Sequence, residues 1–269
     1  MNITTKNETP MATTDDQPYD ALTPENSRRA ALRSLGKVGL GLAFASAPAI
    51  LASSGKAYAA GVRSQAGGRS VNDVLNFALT LEYLERNFYN QALATDGLIP
   101  ADARPLFETI AAHEAAHVTY LVTALGDDAI EEPTFDFTAG GTLDPFTNYN
   151  TFLLLSQAFE DTGVRAYKGQ VIFLTDAEDV LTDALGIHSV EARHASKVRR
   201  VRGLQGWIPG SQPGAPAAVA AVYAGMNQTV KYNVDVPAVS GVGAEAVTEA
   251  WDEPLNTEEV LAIVTPFLA

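Results

Sequence analysis

The chain of 269 residues contains no cysteine. That absence excludes a disulfide scaffold, a zinc ribbon, a thiolate iron–sulfur site and a cysteine nucleophile. Basic residues are few: 18 Lys+Arg stand against 32 Asp+Glu, a net charge of −14. Nucleic-acid binding needs a basic patch for the phosphates and is not expected. Histidine is scarcer still. His113, His117, His188 and His194 are the four, all within residues 113–194. Alternating β-branched runs are few before residue 204, so a sheet is not expected there. What is present is apolar: 46% of the residues are hydrophobic, enough at this length for one or two cores.

The first 59 residues read as an export signal. A polar stretch, Met1 to Asn26, leads to Ser27-Arg28-Arg29-Ala30-Ala31-Leu32-Arg33. An uncharged run rich in Ala, Gly and Ser follows from Val38 to Gly55, and Ala57-Tyr58-Ala59 supplies a small-x-small cleavage site. The paired arginines ahead of a mildly apolar run resemble a twin-arginine signal, with Ala31 where that pattern usually has Phe. Pro48 and the glycines make the run a poor membrane span. A periplasmic or extracellular location is therefore expected, with no stable membrane span after cleavage. Removal of residues 1–59 leaves 12 basic and 27 acidic residues, a balance that favours solubility and cations.

Residues 60–69, rich in Gly, Ser and Arg, read as a linker. Ser70 with Asp73 three positions on predicts a helix start, and Val74, Phe77, Ala78, Leu81, Leu84 and Phe88 follow at helical spacing. The first helix is predicted over 71–94. The second begins near Pro105, suited to a first turn, and stops near Gly126. A long acidic connection, 127–148, separates it from a third helix over 149–174 and a fourth over 177–202. Lys197, Arg199, Arg200 and Arg202 suit the negative end of the fourth helix dipole. This is the connectivity of an all-α four-helix bundle with a long crossover between helices two and three, spanning 70–203. The extension 204–269 holds six of the 14 prolines and both tryptophans. It ends in a capping box, Asn256-Thr257-Glu258-Glu259, before a short apolar helix at 260–268 that should pack along the bundle.

Two Glu-x-x-His motifs carry the chemistry: Glu114-Ala115-Ala116-His117 and Glu191-Ala192-Arg193-His194. Positions i and i+3 share a helix face, so a carboxylate and an imidazole reach one point. Both are good donors to divalent iron, manganese or zinc. Leu106, Ile110, His117 and Leu121 lie on one stripe, so the first motif faces inward. A buried Glu there must be protonated, paired or bound to metal. The other two helices repeat a pattern. Glu82 is followed seven residues later by Tyr89, and Glu160 seven residues later by Tyr167. Glu82 to Glu114 spans 32 positions and Glu160 to Glu191 spans 31. Two such units folded together bring four carboxylates and two histidines to the bundle centre, where two divalent ions would balance the charge. Glu85, on the same inner face, is the rival of Glu82; the symmetry with Glu160 favours Glu82. His188 lies off the face of His194.

The chain resembles the ferritin-like di-metal carboxylate proteins. More closely, it resembles an exported branch of them that includes desiccation-related proteins. The segments that carry this are Leu75-Asn76-Phe77-Ala78-Leu79-Thr80-Leu81-Glu82-Tyr83-Leu84-Glu85, Ala112-His113-Glu114-Ala115-Ala116-His117, Glu160-Asp161-Thr162-Gly163-Val164-Arg165-Ala166-Tyr167 and Val190-Glu191-Ala192-Arg193-His194. The resemblance implies Glu82, Glu114, His117, Glu160, Glu191 and His194 as ligands of two divalent ions, iron or manganese. It implies Tyr89 and Tyr167 as hydrogen-bonding neighbours; His113 reads as a further neighbour. The function implied is protection under oxidative or desiccation stress by Fe(II) oxidation or peroxide removal, with O2 or peroxide as partner. The alternative is a non-enzymatic protective protein in which the metal serves structure. Either form is compatible with a homo-oligomer.

Overall fold

Ser70 accepts the backbone N–H of Asp73, whose carboxylate accepts that of Ser70 in return, closing a capping box. From this start the computed structural model, which describes residues 69–212 and 217–269, runs as one helix to Ala94. The expected export signal at 1–59 and the linker at 60–69, Arg69 apart, lie outside the described residues. The four long helices are α1 (Val71–Ala94), α2 (Arg104–Leu125), α3 (Tyr149–Gln170) and α4 (Glu178–Val201). Pro105 sits in the first turn of α2, and Asn148 caps α3 by accepting from the N–H groups of Asn150 and Thr151.

Consecutive helices run antiparallel. Asn72 at the start of α1 donates to Asp128 just past α2, and Arg104 at the start of α2 reaches the Leu93 carbonyl at the end of α1. In the second pair, Asp161 of α3 meets Arg199 near the end of α4. The α3 helix tightens earlier than its sequence suggests: it gives way after Gln170 to a 3-10 turn, Val171–Phe173. There Gly169 lies against the Leu255 carbonyl, which a Cβ would approach to 1.9 Å, so the extension reaches the backbone of the last turn.

Apolar packing fills the bundle on both sides of a polar middle layer. Toward one end Val74, Leu75, Leu79, Leu121, Leu174 and Ile187 are buried together. Toward the other Phe88, Phe107, Phe152 and Phe159 form a ring cluster. The extension contributes Leu255, Val260, Ile263, Val264 and Phe267 to this second core. Its elements are α5 (Ala217–Ala220), a two-residue hairpin β1 (Val230–Lys231) and β2 (Val234–Asp235), α6 (Val236–Ser240), α7 (Ala244–Glu249) and α8 (Thr257–Val264). The Asn256/Glu259 capping box opens α8, and a 3-10 turn, Thr265–Phe267, finishes it. The chain end then bonds back to the long connection, with Asp136 N–H donating to Phe267 O at 2.8 Å and Ala269 N–H to Thr134 O at 2.9 Å.

Polar contacts seat the extension. Arg165 of α3 is buried and donates to three carbonyls: Glu253 and Ala224, each at 2.7 Å, and Val222. Arg199 of α4 is equally buried and pairs with Asp161, which also accepts the Tyr223 hydroxyl at 2.9 Å. Arg199 therefore departs from the helix-dipole role its position suggests. Its charge is neutralised by a carboxylate of the neighbouring helix, because at 1% exposure it cannot be left to water. Among the described residues no helix is long and apolar enough to cross a membrane.

Candidate metal centre

The middle layer of the bundle is carboxylate and imidazole. Glu82 projects from α1, Glu114 and His117 from α2, Glu160 from α3, and Glu191 and His194 from α4. The four glutamates are 0% exposed, and the two histidines are buried at 9% and 5%. Helical spacing explains the convergence: the i, i+3 pairs place each histidine over the turn that carries its glutamate. His117 Nδ1 lies 3.0 Å from Glu114, 3.1 Å from Glu82 and 3.2 Å from Glu191. His194 Nδ1 lies 2.9 Å from Glu114, 3.3 Å from Glu160 and 3.6 Å from Glu191.

The donors fall into two groups. Glu82, Glu114, His117 and Glu191 form one; Glu114, Glu160, Glu191 and His194 form the other. Within each, one donor atom per residue lies within 4.8 Å of the rest. Donors about 2.1 Å from a first-row ion stand roughly 3–4 Å from one another, so the spacing fits. Glu114 and Glu191 belong to both groups. Several of these atoms are close to neighbours yet hydrogen-bonded to none. Glu114 Oε1, Glu160 Oε2, both oxygens of Glu191 and His194 Nδ1 are buried without a hydrogen-bond partner. Buried polar atoms left so are costly and rare, and here they converge on one place.

The electrostatics reflect the crowding. Burial, then the neighbouring Glu191, pushes the Glu114 carboxyl up to about 7. Burial pushes Glu160 up to about 8 and raises Glu82 as well. Glu191 goes the other way: burial would raise it, but the close approach of His117 and His194 outweighs burial and holds it at about 2. Burial would lower the two histidines; the surrounding carboxylates overcome that and lift both to about 12. In the absence of a cation, protons neutralise this layer.

The outer atoms of the site are also fixed. Tyr89 donates to Glu160 Oε1 and Tyr167 to Glu82 Oε1, each at 2.5 Å. His113 is exposed and stacks on His194, its Nδ1 2.9 Å from His194 Nε2. That contact leaves Nδ1 of His194 facing the carboxylates. His188 belongs to neither group.

Three further features surround the six donors. Glu85 is also buried, at 2%, but lies outside both groups. Burial, then the charges of Glu191 and Glu160, keeps its carboxyl well above the usual range. A Cβ on Gly163 would come within 3.3 Å of its Oε1, so the missing side chain makes its room. The second feature is the Asp161–Arg199 pair. Its signal was present: Gln157, Asp161 and Arg165 recur every four residues on a second polar stripe of α3. The third is an apolar cavity beside Tyr167, described below.

A family model described as a ferritin-like domain matches residues 70–204. Comparison with curated proteins finds no match.

Proposed function

The chain belongs to the ferritin-like domain family, and from that membership and its buried donors we propose that it holds a pair of iron or manganese ions and acts in metal–oxygen chemistry. The observation that carries the reading is the sharing of Glu114 and Glu191 between two donor groups. Two positions with common carboxylates suit two ions side by side. Glu82 with His117 would complete one position, and Glu160 with His194 the other. Four carboxylates and two neutral imidazoles balance two divalent charges, which offsets the burial and the repulsion that otherwise keep Glu114 and Glu160 protonated.

When bound, such a pair supplies one-electron steps toward O2 or peroxide. The protein's part is positional. Tyr89 and Tyr167 orient Glu160 and Glu82, His113 orients His194, and the phenylalanine cluster keeps bulk water from one side of the layer. Fe(II) oxidation and peroxide removal are the two reactions this arrangement supports. With the twin-arginine-type signal read at 1–59, we place the protein outside the cytoplasm, in protection against oxidative or desiccation stress.

A second reading has its own support. The donors come from all four long helices, so bound ions would also cross-link the bundle, and a purely protective role would need no turnover. Metal analysis, Fe(II) oxidation and peroxide consumption on the purified chain separate the readings. Two ions per chain with turnover of Fe(II) or peroxide is expected. Two ions, a raised melting temperature and no turnover would favour the structural role. A chain that takes up no iron or manganese would overturn both.

A further inference from the structure

Tyr89 and Tyr167 hold equivalent places in the two repeats, but their surroundings differ. Tyr89 is packed by rings, with Phe107 and Phe152 at centroid distances of 6.1 and 6.2 Å. Tyr167 instead borders a small cavity between the four long helices, with about 20 Å³ open to the centre of a water-sized guest. Its walls are apolar, chiefly Val74, Ala78, Leu81, Ala166, Ala184 and Ile187. Three polar side chains also line it, and each has its polar group bonded elsewhere. The Tyr120 hydroxyl donates to Asp183 at 2.6 Å. The Gln170 amide accepts from Arg69 and donates to Thr257. The Tyr167 hydroxyl is taken by Glu82. Water needs two or more polar partners to be held in such a space, so an apolar cavity stays dry and takes up apolar guests such as xenon.

We propose that this cavity is a binding site for a small apolar gas molecule, dioxygen foremost, separated from Glu82 by the ring of Tyr167. Its use as an oxygen site rests on the metal-centre reading above; its capacity to bind a gas does not. The cavity also divides the two oxidants by chemistry. Dioxygen enters an apolar space without losing hydrogen bonds, whereas hydrogen peroxide would leave its hydroxyls unsatisfied there. The break in symmetry is specific: the equivalent tyrosine, Tyr89, packs against Phe107 and Phe152 instead.

Xenon tests this directly. Crystals of the full chain pressurised with xenon should show one atom in contact with Ala78, Leu81, Tyr167 and Ala184. Ala78→Phe and the milder Ala184→Leu should abolish it while leaving iron or manganese uptake at the wild-type stoichiometry. In the same variants Fe(II) oxidation by O2 should slow while oxidation by peroxide is unchanged. Ordered water in the cavity, or no xenon in the folded wild-type chain, would overturn the proposal. Xenon seated in a chain that takes up no metal would support the gas site and overturn the metal-centre reading instead.

Discussion

Tyr167 donates its hydroxyl hydrogen to Glu82 across 2.5 Å, although Glu160 of its own repeat lies on its own helix. Tyr89 makes the reciprocal bond to Glu160. The two repeats therefore exchange tyrosines. Each carboxylate is held in place from the opposite hairpin, one oxygen bonded to the phenol and the other left toward the layer.

Loss of that hold should weaken the site without unfolding the bundle. Tyr167→Phe and Tyr89→Phe keep the rings and remove the donors. Each is expected to reduce metal affinity by about 10- to 100-fold, the usual effect of removing a group that orients a ligand. Competitive titration with a chelator measures it, and unchanged affinity in both variants would show that the phenols do not orient the carboxylates.

The shared glutamates should behave differently from the unshared ones. Glu114→Ala or Glu191→Ala takes a donor from both groups, and the chain should then retain no stoichiometric metal. Glu82→Ala or Glu160→Ala takes one donor from one group, and one ion per chain should remain. Elemental analysis of the four purified variants decides between this pattern and a uniform loss.

Stability should depend on pH in opposite ways with and without metal. Buried Glu160 and Glu114 keep protons up to about 8 and about 7, against an ordinary 4.5, so the metal-free fold loses stability as pH rises through that interval. His117 and His194 are raised from 6.5 to about 12. Their stabilisation is complete below the unfolded value and is lost as pH climbs toward the folded one. Both slopes point the same way, and metal binding, which displaces protons, strengthens over the same range. The gain in melting temperature on adding Mn(II) should widen from about pH 6 to about pH 8. Thermal unfolding at several pH values checks it; a gain that shrinks with pH would contradict it.

The extension should detach when its seat is spoiled. Arg199→Met leaves Asp161 buried and unpaired, a change that costs about 3–5 kcal/mol. Gly169→Ala places a methyl 1.9 Å from the Leu255 carbonyl, so the segment around Leu255 must move. Urea unfolding should register both losses, and limited proteolysis should cut the extension of Gly169→Ala before the bundle.

Much of this is legible in sequence because it is periodic. The bounds of α1, the Pro105 start of α2 and the Asn256 capping box follow from short-range rules, and the structure has them within a residue or so. The paired Glu-x-x-His spacing likewise picks out side chains that the fold gathers in one layer. Glu85 shows where such rules stop. It has the same helix face as Glu82, and its place outside both groups depends on where α3 and α4 pass, including the bare backbone at Gly163. The partner of Arg199 lies 38 positions away on another helix, so local pattern assigned its charge to the helix end instead. The cavity beside Tyr167 is a matter of volumes left between four helices, which no single helix encodes.

The division of donors along the chain has a consequence for how the protein can be built or broken. Residues up to the 127–148 connection supply Glu82, Glu114 and His117; residues beyond it supply Glu160, Glu191 and His194. One group needs Glu191 on loan from the second half, and the other needs Glu114 on loan from the first. Neither half completes a set alone. A fragment ending in the connection would have to pair with the other half, or with a second copy of itself, before it could close a single four-donor site.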